Sequence, residues 1–256
     1  MTRTWPSIAA GTEPRAALLA GWLRRARARD HGWIVRGSIA TATWCPDARP
    51  PVDIDYLVPG DAASFDAAAL GAAVRAIAAV DDAATTLVVG RLELIWAESP
   101  SPGLRAHLMG SVGDVHSFPF QLDLAVGDPM CVPPRPIDVA DVGPVLACAP
   151  ETLVGWKLHG LCEFGRGRWR AKDLFDLDLL WRHVTLDRVA LCAAIELAFA
   201  SRGLALTALD DFRTRADWGC SLGGRRRWRT LARAHPAVDD FLATRERVRA
   251  GLATVL

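Results

Sequence analysis

The sequence predicts an α+β protein: a mixed α/β N-terminal half followed by an all-helical C-terminal half. Three observations carry this. Short apolar runs alternate with helical patterns up to about residue 126. A Pro-rich stretch over 127–150 then reads as a connector. From residue 151 onward every patterned segment has helical periodicity. The division gives domains 1–149 and 150–256, within the size one large or two small domains require.

Each element follows from local pattern. Residues 13–29 form a helix with Leu18, Leu19, Trp22 and Leu23 as its apolar stripe, ending near Asp30-His31-Gly32. A short strand over 33–36 runs into Gly37-Ser38, where a helix over 39–44 starts, and Pro46 stops it. Pro50-Pro51 leads to a strand over 52–58, closed by Pro59-Gly60. The Ala-rich stretch 62–80 reads as helix, and strands follow over 86–98, 104–112 and 118–126. Beyond the connector, helices are expected over 151–163 and 171–184, parted by Gly165-Arg166-Gly167-Arg168. More helices reach the end, with a break near 219–224.

Net charge is +1, so nothing global demands nucleic acid or a membrane surface. The halves differ: residues 1–150 hold 12 Arg and 16 acidic residues, and residues 151–256 hold 16 Arg, 2 Lys and 13 acidic residues. The basic excess therefore falls on the helical half, where an anionic partner would dock. Six cysteines show no C-x-x-C pair and no zinc-like spacing with His. They read as buried thiols in a reducing compartment. With no charged-then-apolar leader and no run near ~20 apolar residues, a cytoplasmic protein with no membrane partner is expected.

The chemistry concentrates at three places. Gly37-Ser38 follows a strand and opens a helix: glycine lets backbone approach an anion, the helix offers free N–H groups, and Ser38 adds a hydroxyl. An ordinary capped turn has the same sequence. What raises it is Asp53-Ile54-Asp55 in the next strand, because residues i and i+2 share a strand face. Asp123 sits in a later strand between Leu122 and Leu124. Carboxylates held together in apolar strands repel and lose solvation, and a divalent cation is the usual compensation. Asp53, Asp55 and Asp123 are thus candidate metal ligands, suited to two Mg²⁺ ions serving a nucleoside triphosphate. In that reading Asp123 accepts the acceptor's proton or completes the second ion's shell.

The third place is basic. Of 30 basic residues 28 are Arg, and the two lysines, Lys157 and Lys172, fall within 16 residues. Gly155 and Gly160 flank Lys157, allowing close approach of a ligand or another backbone. Asp173 and Asp176 share a helix face, and Lys172 can pair with Asp176 at i, i+4. Helix-end dipole stabilisation is the competing reading for the two aspartates. Arg166, Arg168 and Arg170 beside Trp169 suit phosphate contact. Arg225-Arg226-Arg227-Trp228-Arg229 suits phosphate tracking with base stacking, or a solvated helix face. Trp156 reads as a packing residue, with stacking on a base or shaping of the substrate pocket as the alternative, and His159 as polar packing.

Gly37-Ser38 with Asp53-Ile54-Asp55 resembles the minimal nucleotidyltransferases of the DNA polymerase β superfamily. The segments Phe120–Pro129, Pro150–Gly160 and Arg170–Leu177 are similar to the third-carboxylate, lysine-helix and closing Lys-Asp motifs of the AbiEii/AbiGii-type nucleotidyltransferase toxins. The resemblance covers roughly residues 30–182. It implies a polymerase β-like mixed-sheet nucleotidyltransferase core and a C-terminal helical lobe that completes the active site between them. It implies transfer of a nucleotide from an NTP with Mg²⁺; characterised relatives include toxins that modify the tRNA acceptor end, and a cognate antitoxin is a further expected partner. By motif matching, Gly37 and Ser38 hold phosphate, Lys157 holds the triphosphate, and Asp173 is catalytic or orients the lysine. Arg49 stands where the family often has Arg, and Arg170 and Lys172 complete the nucleotide-binding set. The sequence departs from the pattern at Pro51, Trp156 and Gly160, where the family often has Ser, Glu and Ala. Transfer to a small molecule or protein hydroxyl, and a non-catalytic nucleotide-binding relative, stand as alternatives.

Overall fold

The computed structural model describes residues 14–113, 117–165 and 167–256. Contacts divide the chain into two units. The first runs up to Pro46, then Pro50–Asp128 and Pro134–Cys148; the second takes Asp47–Arg49, Pro129–Pro133 and Ala149–Leu256.

The first unit begins with α1 (Pro14–Arg29), whose stripe Leu18, Leu19, Trp22 and Leu23 is buried. Then come β1 (Ile34–Arg36), α2 (Gly37–Trp44), β2 (Ile54–Val58), α3 (Ala67–Ala78), β3 (Thr85–Ile95), β4 (Gly103–Val112), β5 (Phe118–Val126), β6 (Arg135–Val139) and β7 (Gly143–Ala147). The strands form one mixed sheet in the order β3-β4-β5-β2-β1-β7-β6. β2 runs parallel to β5 and β1 parallel to β7; the other neighbours are antiparallel.

Alternation along β4 sorts the faces. Leu104, Ala106 and Leu108 are buried, whereas Arg105 and His107 are only half-buried. α1 and α3 pack on β3 and β4, and Leu18 closes on Gly110, which lies on the same face as Leu108. Each of these large apolar side chains contributes about 1.5–3 kcal/mol on burial. The opposite face carries the polar residues, and the candidate carboxylates lie there.

Three expectations need correction here. The stretch over 127–150 is no mere connector, because it contains the β6–β7 hairpin, which turns through Asp141 and Gly143 at positive φ. Pro136 and Pro144 hid it. β6 is a sheet edge, where proline is tolerated, and β1 meets β7 only at Val35↔Ala147, so Pro144 lies outside that ladder. The expected helix over 62–80 is split. Asp61 accepts from the Ala63 N–H to cap a short 3₁₀ turn, Ala62–Ser64, and Asp66 accepts from Ala68 and Ala69 to start α3. Of the six cysteines only Cys45 and Cys148 are buried, and Cys131 is exposed; all six are free thiols.

The second unit comprises α4 (Pro150–Cys162), α5 (Ala171–His183), α6 (Arg188–Ala200), α7 (Ala208–Thr214), α8 (Leu222–Ala234) and α9 (Phe241–Ala253). The expected break near 219–224 ends at Leu222, so Gly223 and Gly224 are helical. Gly155 lets α4 meet α6, since a Cβ there would lie 2.5 Å from the Ala194 carbonyl oxygen. Trp169 stacks with Phe241 and packs beside Trp218 and Trp228. No helix among the described residues is long and apolar enough to cross a membrane.

Candidate functional site

Charged residues line up across adjacent strands of the sheet. Register pairs Arg36 of β1 with Asp55 of β2, Asp55 with Asp123 of β5, Asp123 with Arg105 of β4, and Arg105 with Glu93 of β3. Cross-strand partners share a face, so the row reads plus, minus, minus, plus, minus. Like charges directly opposite are destabilising, and the flanking arginines offset that cost. Arg105 holds Asp123 through two hydrogen bonds of 2.7 Å, Nε to Oδ1 and Nη2 to Oδ2. That bond, with Asp123 and Glu93 charge, raises the Arg105 pKa above its ordinary value. Arg36 donates to Asp128 Oδ2 at 2.6 Å, and the Asp128 side chain is fully buried. Burial works to lower the Arg36 pKa, but Asp128 and then Asp55 outweigh it and the net shift is upward.

Asp53 lies in the bend before β2, one residue short of the ladder. It lines a cleft of about 440 Å³ with Arg15, His107, Phe120 and Gln121 among others. Asp55 and Asp123 are therefore immediate neighbours, and Asp53 stands at the strand entry. Among the described residues, no three acidic, His or Cys side chains are gathered tightly enough to hold a metal ion as they stand. The donors that adjoin are nonetheless all carboxylate oxygens, the set a hard divalent cation takes. Asp123 would have to release Arg105 to join it.

The turn beside this row is built around glycine. Gly37 has φ of +66°, and a Cβ there would overlap the Asp55 carboxylate. The residue before α2, Arg36, makes no side-chain cap, so no capping side chain occupies the first-turn N–H groups. Ser38 is 7% exposed and its buried Oγ has no hydrogen-bond partner among the described residues. A buried hydroxyl without a partner costs free energy, and a phosphate oxygen at a helix start would satisfy it.

In the second unit Asp176 fixes two cations. Lys157 Nζ donates to its Oδ2 at 2.6 Å, and Arg49 donates from Nε and Nη2 at 3.2 Å each. Asp173 takes Arg170 Nε at 2.6 Å and lies 3.8 Å from Lys157 Nζ. Burial would raise the Asp176 pKa, but Lys157 and then Arg49 outweigh it, and the pKa lies below the ordinary carboxylate value. Three cations against two carboxylates leave an excess positive charge, suited to an anion. Gly160 admits the Asp173 and Arg170 side chains against α4.

Sequence reasoning found Lys157, Asp173, Arg49 and Arg170, which the structure brings together. It also nominated Lys172, which is exposed and makes no ion pair among the described residues; the expected Lys172–Asp176 pair gives way to Lys157 and Arg49. It missed His235, which lies within electrostatic reach of Arg49 and Asp176. Burial and then Arg49 hold the His235 pKa below its usual value, against Asp176. No spacing signal marked His235 in the sequence. Arg166 lies outside the described residues. Trp228 cannot stack on a base: it is 4% exposed, packs on Phe241, and donates Nε1–H to the Asp239 carbonyl. Trp156 is half-buried under Arg202, and His159 packs edge-on against Trp156 and Phe199.

A carboxylate pair beside a glycine turn that opens a helix is equipment for nucleotidyl transfer, and the family comparison points to the same class of reaction. The profile described as "Nucleotidyl transferase AbiEii toxin, Type IV TA system" matches residues 18–246. The chain belongs to that family of nucleotidyltransferases. No curated protein matches it by sequence. Among solved structures, JHP933 from Helicobacter pylori aligns with a TM-score of 0.57 and 13% identity, over 94% of this chain and 90% of that one. A candidate nucleotidyltransferase from H. pylori aligns with a TM-score of 0.50 and 14% identity, over 93% and 95%. At such identities the likeness concerns the fold alone.

Proposed function

We propose that this protein is a Mg²⁺-dependent nucleotidyltransferase with a polymerase β-like core. It moves an NMP from an NTP to an acceptor hydroxyl, with RNA, and tRNA in particular, as the acceptor. The observation that carries this is the direct register pairing of Asp55 with Asp123 beside the Gly37-Ser38 turn. Divalent cations held by Asp53, Asp55 and Asp123 would supply charge neutralisation for the triphosphate and a lowered pKa for the attacking hydroxyl.

The chain's own groups divide the remaining work. Ser38 Oγ and the first N–H groups of α2 bind phosphate oxygens. Asp123, released from Arg105, accepts the hydroxyl proton or completes the oxygen shell of an ion. Lys157, oriented by Asp176 and Asp173, binds the triphosphate, and Arg49 and Arg170 add positive charge. The acceptor oxygen bonds to the α-phosphorus as the bond to pyrophosphate breaks, and pyrophosphate leaves with its electron pair. Family membership makes a toxin in the cytoplasm, countered by a cognate antitoxin, the setting we favour.

The test is incubation with each labelled NTP, Mg²⁺ and total tRNA. Label on RNA, lost in Asp55→Asn, supports the reading. Turnover with a small acceptor and none with RNA replaces it with the small-molecule alternative, to which the net charge of +1 is congenial.

A further inference from the structure

We propose that the outward stripe of helix α8 docks the phosphate backbone of RNA; the proposal rests on the RNA-acceptor reading and adds to it the surface that holds the acceptor. Helix α8 carries five arginines and no acidic residue. Its buried side is small: Gly224 and Trp228 face inward, and Trp228 anchors the helix in the cluster of Trp169 and Phe241. Arg227 also turns back, donating to the Gly167 carbonyl at 2.7 Å and lying over the Trp169 ring. The other four, Arg225, Arg226, Arg229 and Arg233, are all exposed. At 3.6 residues per turn they fall within an arc of about 100° and extend roughly 12 Å along the axis.

Helix physics disfavours this arrangement in isolation. Arg225/Arg229 and Arg229/Arg233 are like-charge pairs at i, i+4, and Arg226/Arg229 is one at i, i+3. Arg225 and Arg226 also lie near the positive end of the helix dipole. None of the four has an ion-pair partner among the described residues. The neighbouring helix α9 differs: Arg245 pairs with Glu246, Arg247 with Asp178 and Asp239, and Arg249 with Glu246. The same unit thus compensates its arginines on one helix and leaves them bare on another. A solvated face would be expected to carry mixed signs, as α9 does. A single-sign stripe with one arginine per turn suits a linear polyanion with regularly spaced charge, which is a nucleic-acid backbone.

The experiment uses the full chain with Arg225, Arg226, Arg229 and Arg233 all changed to Gln, which keeps helix propensity and leaves Trp228 in place. Thermal unfolding reports the fold. Fluorescein-labelled tRNA is the probe, titrated by anisotropy over a range of salt. The variant should bind at least tenfold more weakly, and the slope of log K against log salt should shrink by roughly 2–3. A control with exposed Arg75 and Arg188 changed to Gln should stay near the parent. Equal losses in the two variants, or an unchanged slope, overturn the proposal. Polyglutamate displacing the tRNA as effectively as unlabelled RNA also overturns it, in favour of an acidic protein partner. Binding is read without turnover, so the two readings separate. An enzyme that labels RNA while the quadruple variant binds normally retains the function and loses the surface. An enzyme that neither labels nor binds RNA loses both.

Discussion

Arg105 and Asp123 face each other across strands β4 and β5 and share two hydrogen bonds of 2.7 Å, so the innermost carboxylate of the row is already fully engaged. Arg105 thereby competes with any cation for Asp123. Replacing it with Gln should tighten Mn²⁺ binding about tenfold in the absence of nucleotide, equivalent to ~1.4 kcal/mol. Electron paramagnetic resonance titration of free Mn²⁺ measures this. Weaker binding would show that the arginine's service is to hold Asp123 in shape.

Ser38 and Gly37 should respond oppositely to small changes. Ser38→Ala removes a hydroxyl that has no partner among the described residues, so stability should stay within about 0.5 kcal/mol of the parent. KM for the NTP should rise about tenfold with a smaller change in kcat. Gly37→Ala adds a Cβ at φ +66° against Asp55. It should cost about 1–3 kcal/mol in urea unfolding and abolish transfer.

At Asp176 the stability and the chemistry can be separated. Asp176→Asn leaves Lys157 and Arg49 without their shared anion and should cost about 3–5 kcal/mol at neutral pH. The folded pKa of Asp176 is depressed. Its contribution is therefore fully present above the unfolded value near ~3.9 and is lost as pH falls through the folded value. Chemical unfolding of parent and variant should diverge at neutral pH and converge in acid. Lys157→Ala should abolish transfer yet lower the melting temperature less than Asp176→Asn does, because Arg49 still holds Asp176.

A purely structural pair supplies a comparison. Arg24 grips Asp82 at 2.6 and 3.0 Å, tying α1 to the segment before β3. The Arg24 hydrogen bond, opposed by burial and aided by Thr85, lowers the Asp82 pKa to about 2. Asp82→Asn should cost roughly 1–2 kcal/mol, allowing for solvent screening. The difference from the parent should be full above about pH 4 and be lost as pH falls through about 2, with no effect on nucleotide binding.

Much of this was legible in the residues because alternation and capping are local. Asp53, Asp55 and Asp123 could be nominated together from two apolar strands, and Leu18 to Leu23 from one helical stripe; that Asp55 faces Asp123 while Asp53 stays outside the ladder took the register. What escaped was non-local. Arg105 reads as an ordinary charge on β4 until register sets it opposite Asp123. The pairing of Asp176 with Arg49, 127 positions away, outranked the nearer Lys172, since a buried carboxylate takes the cations that can reach it without solvent. The β6–β7 hairpin was masked by prolines whose edge or end positions only the assembled sheet reveals. His235 had no neighbour in sequence to announce it.

Asp47–Arg49 is encoded within the N-terminal half, yet it belongs with the helical unit, as does Pro129–Pro133. A single cut in the gene therefore cannot reproduce the division into two units. A fragment starting at Ala149 would lack Arg49, one of the two cations that Asp176 holds. Split-protein reporters, domain swaps between homologues and circular permutants of this chain would have to carry the Arg49 triplet along with the helices.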